Sequence, residues 1–251
     1  MSRQRQEAGC VVFSVDIPDQ GVSGSQVREL FQLFDSRGLP ATWAAGRIHA
    51  RQVSCCARDS RGSHEVAVLG NADWLPAENN RRTFYRTLVE RMQGFRDERV
   101  PVTTLAMDDV DLFDHLDLLV KHRISMLRCR STTAVTVARN LQPRSLRFGV
   151  WQAPTALRLS ANGSTGWWAE RKLLRAIRQC SRQGGIVHLL ARADELLDHR
   201  RYSSLLERLL QNVADRVQQD SLQCLTLQQL SRHVQQRPAR LTSQSLLGRA
   251  A

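Results

Sequence analysis

The run Val11-Val12-Phe13-Ser14-Val15-Asp16 ends an apolar, strand-forming stretch on a carboxylate, and the turn residues Pro18, Asp19 and Gly21 follow at once. In parallel sheets, side chains that do chemistry sit where strands end, because the scaffold is rigid there and the loops can form a pocket. Asp16 is therefore a candidate base or metal ligand; as a purely structural residue it would start a turn or cap the next helix. Arg128 and Arg130 stand at the end of a later apolar run. Their planar donors could grip a carboxylate or phosphate, or they could simply be solvated. His188 is bordered by apolar residues, which suits a satisfied core histidine as well as a proton donor. Trp74, Trp151, Trp167 and Trp168 could stack on sugar rings or fill the core.

The elements that must position these groups can be read from periodicity. Val27, Leu30, Phe31 and Phe34 recur at helical spacing over Ser25 to Arg37, and Gly38 stands where a helix stops. Strands are expected at 11–16, 40–46, 64–69, 102–106, 124–129, 146–151 and 186–190. Between them lie helices near 48–57, 77–95, 112–120, 167–183 and 203–219, and a last helix follows at 226–234 after a short apolar piece at 222–225. The acidic pair Asp108-Asp109 falls in the loop after the fourth strand. This alternation, without linker or repeat, predicts parallel strands with helical crossovers, closed or nearly closed into a barrel of about seven units.

The totals agree with one domain. A chain of 251 residues with 42% hydrophobic and 24% charged residues can bury one large core. The expected division is a tail at 1–9, a barrel at 10–234 and a second tail at 235–251. No apolar run approaches the roughly 20 residues of a membrane span, and the first residues lack the apolar core of a secretory signal, so the expected location is cytoplasmic. The net charge of +12 is almost all arginine, since Lys121 and Lys172 are the only lysines. These arginines are spread along the helices with no zinc finger or RNA-binding aromatic motif, so no specific nucleic-acid binding is expected. Cys10, Cys55, Cys56, Cys129, Cys180 and Cys224 include no pair with the spacing of a zinc knuckle or redox motif, and they read as reduced and structural.

Taken in order, several pieces resemble the polysaccharide deacetylase family, which includes the chitooligosaccharide deacetylases of nodulation. Val11 to Asp16 is similar to its opening strand, and Gly38-Leu39-Pro40-Ala41-Thr42-Trp43-Ala44-Ala45-Gly46 to its second-strand signature. His64-Glu65-Val66 resembles the opening of its metal-binding loop, and His115 to Ile124 the helix leading into a later strand. Gly185-Ile186-Val187-His188-Leu189-Leu190 is similar to the final-strand motif, and Thr226-Leu227-Gln228-Gln229-Leu230 fits the last helix. The likeness spans about residues 10–234. It implies a distorted (β/α)7 barrel of the α/β class, mostly parallel, in a single domain. It also implies zinc-assisted hydrolysis of the C–N amide bond of an N-acetyl sugar. In that scheme an aspartate takes the proton of the metal-bound water and a histidine protonates the leaving amine.

Residue by residue, the resemblance gives Asp16 the place of the base and His188 that of the acid, with His64, Asp73, Trp74 and Arg128 as substrate-binding candidates. It places the expected metal ligands at Ile17, Leu69 and Asp73. Leucine cannot donate a lone pair, and one aspartate without neighbours holds a metal poorly. Asp19 could substitute only if its loop folds back. A second family histidine on the last strand falls at Arg192. The leading expectation is therefore a deacetylase-like barrel with no bound cofactor and a degenerate metal site, binding a carbohydrate or a protein partner above Asp16. The alternatives are an active divergent deacetylase or amidohydrolase using Asp16 and His188, and a basic nucleic-acid-binding module.

Overall fold

The computed structural model describes residues 8–75, 81–108, 110–133, 142–159, 166–198 and 200–236. The chain begins β1 (Gly9–Ile17), α1 (Gly24–Asp35), β2 (Thr42–Ala45), α2 (Ala50–Asp59), β3 (Glu65–Leu69) and α3 (Arg81–Asp97). It continues through β4 (Thr104–Ala106), α4 (Leu116–Lys121), β5 (Met126–Arg128), β6 (Ser131–Thr133), β7 (Arg144–Ser145), β8 (Trp151–Gln152) and β9 (Ala156–Arg158). It ends with α5 (Gly166–Gln183), β10 (Ile186–Arg192), α6 (Ala193–Asp198), α7 (Arg200–Gln218), β11 (Leu222–Leu225) and α8 (Leu227–Gln236). No helix among these residues is long and apolar enough to cross a membrane.

Every residue of β1 is buried, and the sheet is built around it. One side of β1 pairs in parallel with β10 along Cys10 to Asp16. The other side is shared: Gly9 to Val12 pair with β11, and Ser14 to Ile17 pair with β2. The order continues β2-β3-β4-β5-β8-β7 on one flank and β10-β9-β6 on the other. All the pairings are parallel except β7 with β8. Because only Cys129 and Arg130 separate β5 from β6, the two flanks meet through one run of chain, and the sheet curls into a distorted barrel. The expected α/β barrel of parallel strands in one domain is the observed architecture.

Strand alternation sorts the apolar residues into two layers. Odd positions of β1 (Val11, Phe13, Val15, Ile17) join Trp43, Val66, Val68, Leu105 and Leu127 in the main core between sheet and helices. Even positions face inward. At the floor of the barrel, Cys10, Val12, Met126 and Ile186 pack against Leu227 and Leu230 of α8, which plugs that end. Toward the mouth the inward residues become small, with Ala44, Ala67 and Ala106 forming a cluster of their own.

Two local features follow from the residues at the ends of these elements. Ser23 and Gln26 form a capping box at the start of α1, satisfying two N–H groups the helix would leave orphaned. Gly46, after β2, leaves room for the Asp19 carboxylate, since a Cβ there would lie 2.2 Å from its Oδ1 and displace it. One expected strand is corrected. Residues 146–151 form a 3-10 turn at Arg147–Gly149 before the short β8, because Phe148 and Gly149 adopt left-handed backbone angles (φ 59° and 76°) that no strand accommodates.

Candidate functional site at the mouth of the barrel

Asp16 sits one residue from the C-terminal end of β1, on the inward face. Arg128, the last residue of β5, faces inward from the opposite wall. Its Nη1 and Nη2 donate to Oδ1 and Oδ2 of Asp16 at 2.6 and 2.7 Å, a bidentate pair. Both residues are buried, Asp16 at 4% exposure and Arg128 at 1%. Burial raises the Asp16 carboxyl above its ordinary value, and the Arg128 guanidinium opposes that rise only in part. With both oxygens occupied by N–H donors, the geometry is that of a carboxylate. Burial opposes the charge on Arg128 as well, but Asp16 overcomes it and holds the guanidinium above its ordinary value.

Further charges ring this pair. Oδ1 of Asp108 lies 3.5 Å from Nη2 of Arg128 and has no hydrogen-bond partner of its own. Arg192 is the Cα partner of Asp16 in β10. Its guanidinium is taken by Asp194 at 2.7 and 3.1 Å, while Arg158 pairs with the adjacent Glu195.

Deeper in the barrel, His188 is fully buried on β10. Its Nδ1 lies 3.0 Å from the Pro154 carbonyl oxygen, which can only accept, so Nδ1 carries the proton. Nε2 is then an acceptor, and the Ser14 hydroxyl donates to it at 2.7 Å. Burial pushes the pKa of His188 down to about 3, so the ring is neutral. His188 is in register with Val12, four residues below Asp16 and roughly 13 Å lower along the ladder at about 3.3 Å per residue. Both ring nitrogens and both Asp16 oxygens are thus committed to other partners.

The remaining candidates do not converge on Asp16. His64 lies at the N-terminal end of β3, the opposite end of the barrel. Its Nδ1 accepts from the Ala41 N–H at 3.1 Å, its Nε2 faces Asp35 at 3.1 Å, and its ring meets Phe31 and Trp43 edge-on. Trp74 is a core residue at 3% exposure, tilted against Phe84 and covered by Arg91. Asp73 is exposed and accepts from the Asn71 amide at 2.9 Å. Asp19 does not fold back, since it accepts from the Ile48 N–H at 2.8 Å and from Arg91 at 2.6 Å. Trp167, Trp168 and Asp109 fall outside the residues whose side chains are described.

Ile17 is fully buried in the outer core layer, and Leu69 packs beside the alanine cluster on the inner face. Among the described residues, no group of three or more His, Cys, Asp or Glu is placed to hold a metal ion. Ser14 and Arg192 were not foreseen as site residues. Their signal was the alternation Val12-Ser14-Asp16, which puts both polar residues of β1 on one face, and the register of β10, which the sequence alone does not fix.

No family model matches the sequence, and no curated protein matches it. Solved structures do share its fold. A protein named as a polysaccharide deacetylase from Pseudomonas aeruginosa PAO1 superposes with a TM-score of 0.71 at 12% identity, covering 91% of each chain. One named likewise from Mycobacterium smegmatis gives 0.68 at 13% identity, covering 94% of this chain and 93% of that one. A mutant of a CE4 family pseudoenzyme with restored enzymatic activity gives 0.53 at 7% identity, covering 90% of this chain and 69% of that one.

Proposed function

We propose that this chain is a polysaccharide-deacetylase-like protein that has lost the usual zinc site and uses the barrel mouth to hold a carbohydrate or a protein partner. The observation that carries the reading is the buried Asp16–Arg128 pair. A guanidinium bound to both oxygens of Asp16 occupies the carboxylate that would have to take the proton of a metal-bound water. A dication beside it would also be repelled by the fixed positive charge at that distance. The side chains at the expected ligand positions support the same reading, since Ile17 and Leu69 offer no lone pair and Asp73 is engaged by Asn71. A structure sharing this fold is a mutant of a pseudoenzyme, which supports the idea that the scaffold tolerates loss of activity. In this reading the half-buried Asp108, whose Oδ1 faces Arg128, and the exposed Arg130 offer the polar contacts at the mouth that sugar hydroxyls require.

The second reading is a divergent amidohydrolase using Asp16 and His188, and it is favoured only by their shared inward face. To protonate a leaving amine, His188 would have to carry a proton at neutral pH, and a pKa of about 3 works against that. One experiment separates the two. The purified chain is equilibrated with micromolar zinc, desalted and measured for metal, and then assayed for acetate release from N-acetylglucosamine oligomers. The expected result is far less than one zinc per chain and no acetate, with oligomer binding weakened by Asp108→Ala. Stoichiometric zinc that disappears in Asp73→Ala would overturn the proposal. Zinc-independent acetate release abolished by His188→Gln would establish the second reading instead.

A further inference from the structure

At the end of the barrel opposite Asp16, a cavity of about 390 Å³ opens between the end of α3, the 100–103 connection and the end of α4. Its titratable lining residues are all basic: Arg96, Lys121, His122 and Arg123. Neighbouring acids are engaged elsewhere. Asp97 accepts from the Gln93 amide, Glu98 pairs with Arg51 and Arg58, and Asp117 pairs with Arg81. Lys121 Nζ lies 4.8 Å over the Tyr85 ring, a contact that leaves its charge uncancelled.

The buried part of the lining points the same way. His122 is only 9% exposed. A guanidinium can only donate, so the 2.9 Å contact from Arg96 Nη2 makes Nδ1 of His122 an acceptor and puts the ring proton on Nε2. That N–H is buried and has no partner, and neither has the hydroxyl of Thr103, which lines the same cavity. Buried donors without acceptors are rare and costly, and here two belong to residues that line one cavity. Basic residues in the last turn of a helix are also favoured by the helix dipole. That accounts for Arg96 and Lys121 but not for Arg123, which lies beyond α4, nor for the two unpartnered groups.

We propose that this cavity binds a compact oxyanion of the phosphate class, either free or as the head group of a small phosphorylated molecule. Arg96, Lys121 and Arg123 supply the charge, and His122 Nε2–H and the Thr103 hydroxyl supply neutral donors from the buried side. The site is separate from the barrel mouth and stands whether or not the chain is an enzyme.

The test is calorimetric titration of the full chain, in chloride buffer of low ionic strength, with inorganic phosphate and separately with glucosamine 6-phosphate. Saturable one-site binding by either probe is expected. It should weaken at least tenfold in Arg96→Gln and in Arg123→Asn, the latter chosen because asparagine tolerates the left-handed backbone at this position (φ 63°). Arg178→Gln, an exposed change on α5, should leave binding unchanged. Tighter binding of the sugar phosphate would identify a head-group site, and equal binding an oxyanion site; both support the proposal. Absence of saturable binding by both probes overturns it. So does binding that survives both cavity variants, or that falls equally with Arg178→Gln. Unchanged circular dichroism of the variants guards against loss of fold.

Discussion

Arg128 crosses the barrel from β5 to close on both oxygens of Asp16 in β1, and the strands between them carry Ala44, Ala67 and Ala106 on their inner faces. Barrel interiors are ordinarily filled by layers of bulky branched side chains. Here one long cation takes that space. Removing it, as in Arg128→Met, leaves a buried carboxylate with no partner and should cost about 3–5 kcal/mol in urea denaturation. The double change Asp16→Leu with Arg128→Met should recover most of that loss, because a well-packed apolar pair no longer has charges to desolvate. A double variant as unstable as the single one would mean that the pair is not the origin of the cost.

The same crossing explains the alanines, and this can be tested at Ala67, which is fully buried. A leucine there must share the interior with the guanidinium and should cost about 1–3 kcal/mol through overpacking. In an Arg128→Ala background the space is vacated, so the same leucine should be neutral or stabilising. The non-additivity read from the four chains is the measurement, and strict additivity counts against the two groups sharing space.

His188 gives a pH dependence with a definite sign. Its folded pKa, about 3, lies below the ordinary value of 6.5, so between these the unfolded chain takes up a proton that the folded chain refuses. The associated stability is fully present above pH 6.5 and is lost as pH falls toward 3. The slope is up to about 1.4 kcal/mol for each pH unit in that window. Urea midpoints of the parent and His188→Gln should converge on acidification from pH 7 to pH 4, with the variant's curve the flatter. Parallel curves would show that the imidazole does titrate in the folded state.

Much of the scaffold was legible because its signal is local. Val27, Leu30, Phe31 and Phe34 mark α1 by spacing, and all four are buried. The run from Val11 to Asp16 reads directly as β1. The strands that escaped notice, β6, β7 and β9, are two or three residues long, too short for alternation to appear. Asp16 was identifiable from its position at a strand end. Its partner was not, because Arg128 lies 112 residues away and nothing in a one-dimensional pattern distinguishes it from the solvated Arg130. His64 misled for a related reason: the motif places it beside Glu65, yet alternation turns neighbouring side chains to opposite faces, and Glu65 faces inward while His64 packs with the outer aromatics.

That inward carboxylate supports the last prediction. Glu65 is buried at 6% exposure and accepts from Thr42 at 2.8 Å, from Thr104, and from the Gln228 N–H at 2.8 Å. Thr42 in turn accepts from the Leu227 N–H at 2.9 Å, and Thr226 caps the Gln229 N–H at 3.2 Å. The first N–H groups of α8 are therefore satisfied partly by strands β2 and β3, which fastens the plug to the barrel floor. Glu65→Leu strands these donors and should cost about 2–4 kcal/mol, with faster amide exchange along α8 before the strands open. Burial raises the Glu65 carboxyl above its ordinary value, so its contribution is greatest at low pH and shrinks as pH rises through the folded value, opposite in sign to that of His188. Glu65→Gln keeps an acceptor and removes that ionisation, so it should lose less than Glu65→Leu by a margin that stays constant with pH, while the deficit of both variants against the parent shrinks as pH rises. A glutamine variant as unstable as the leucine one at every pH would show that α8 is held by packing of Leu227 and Leu230 alone.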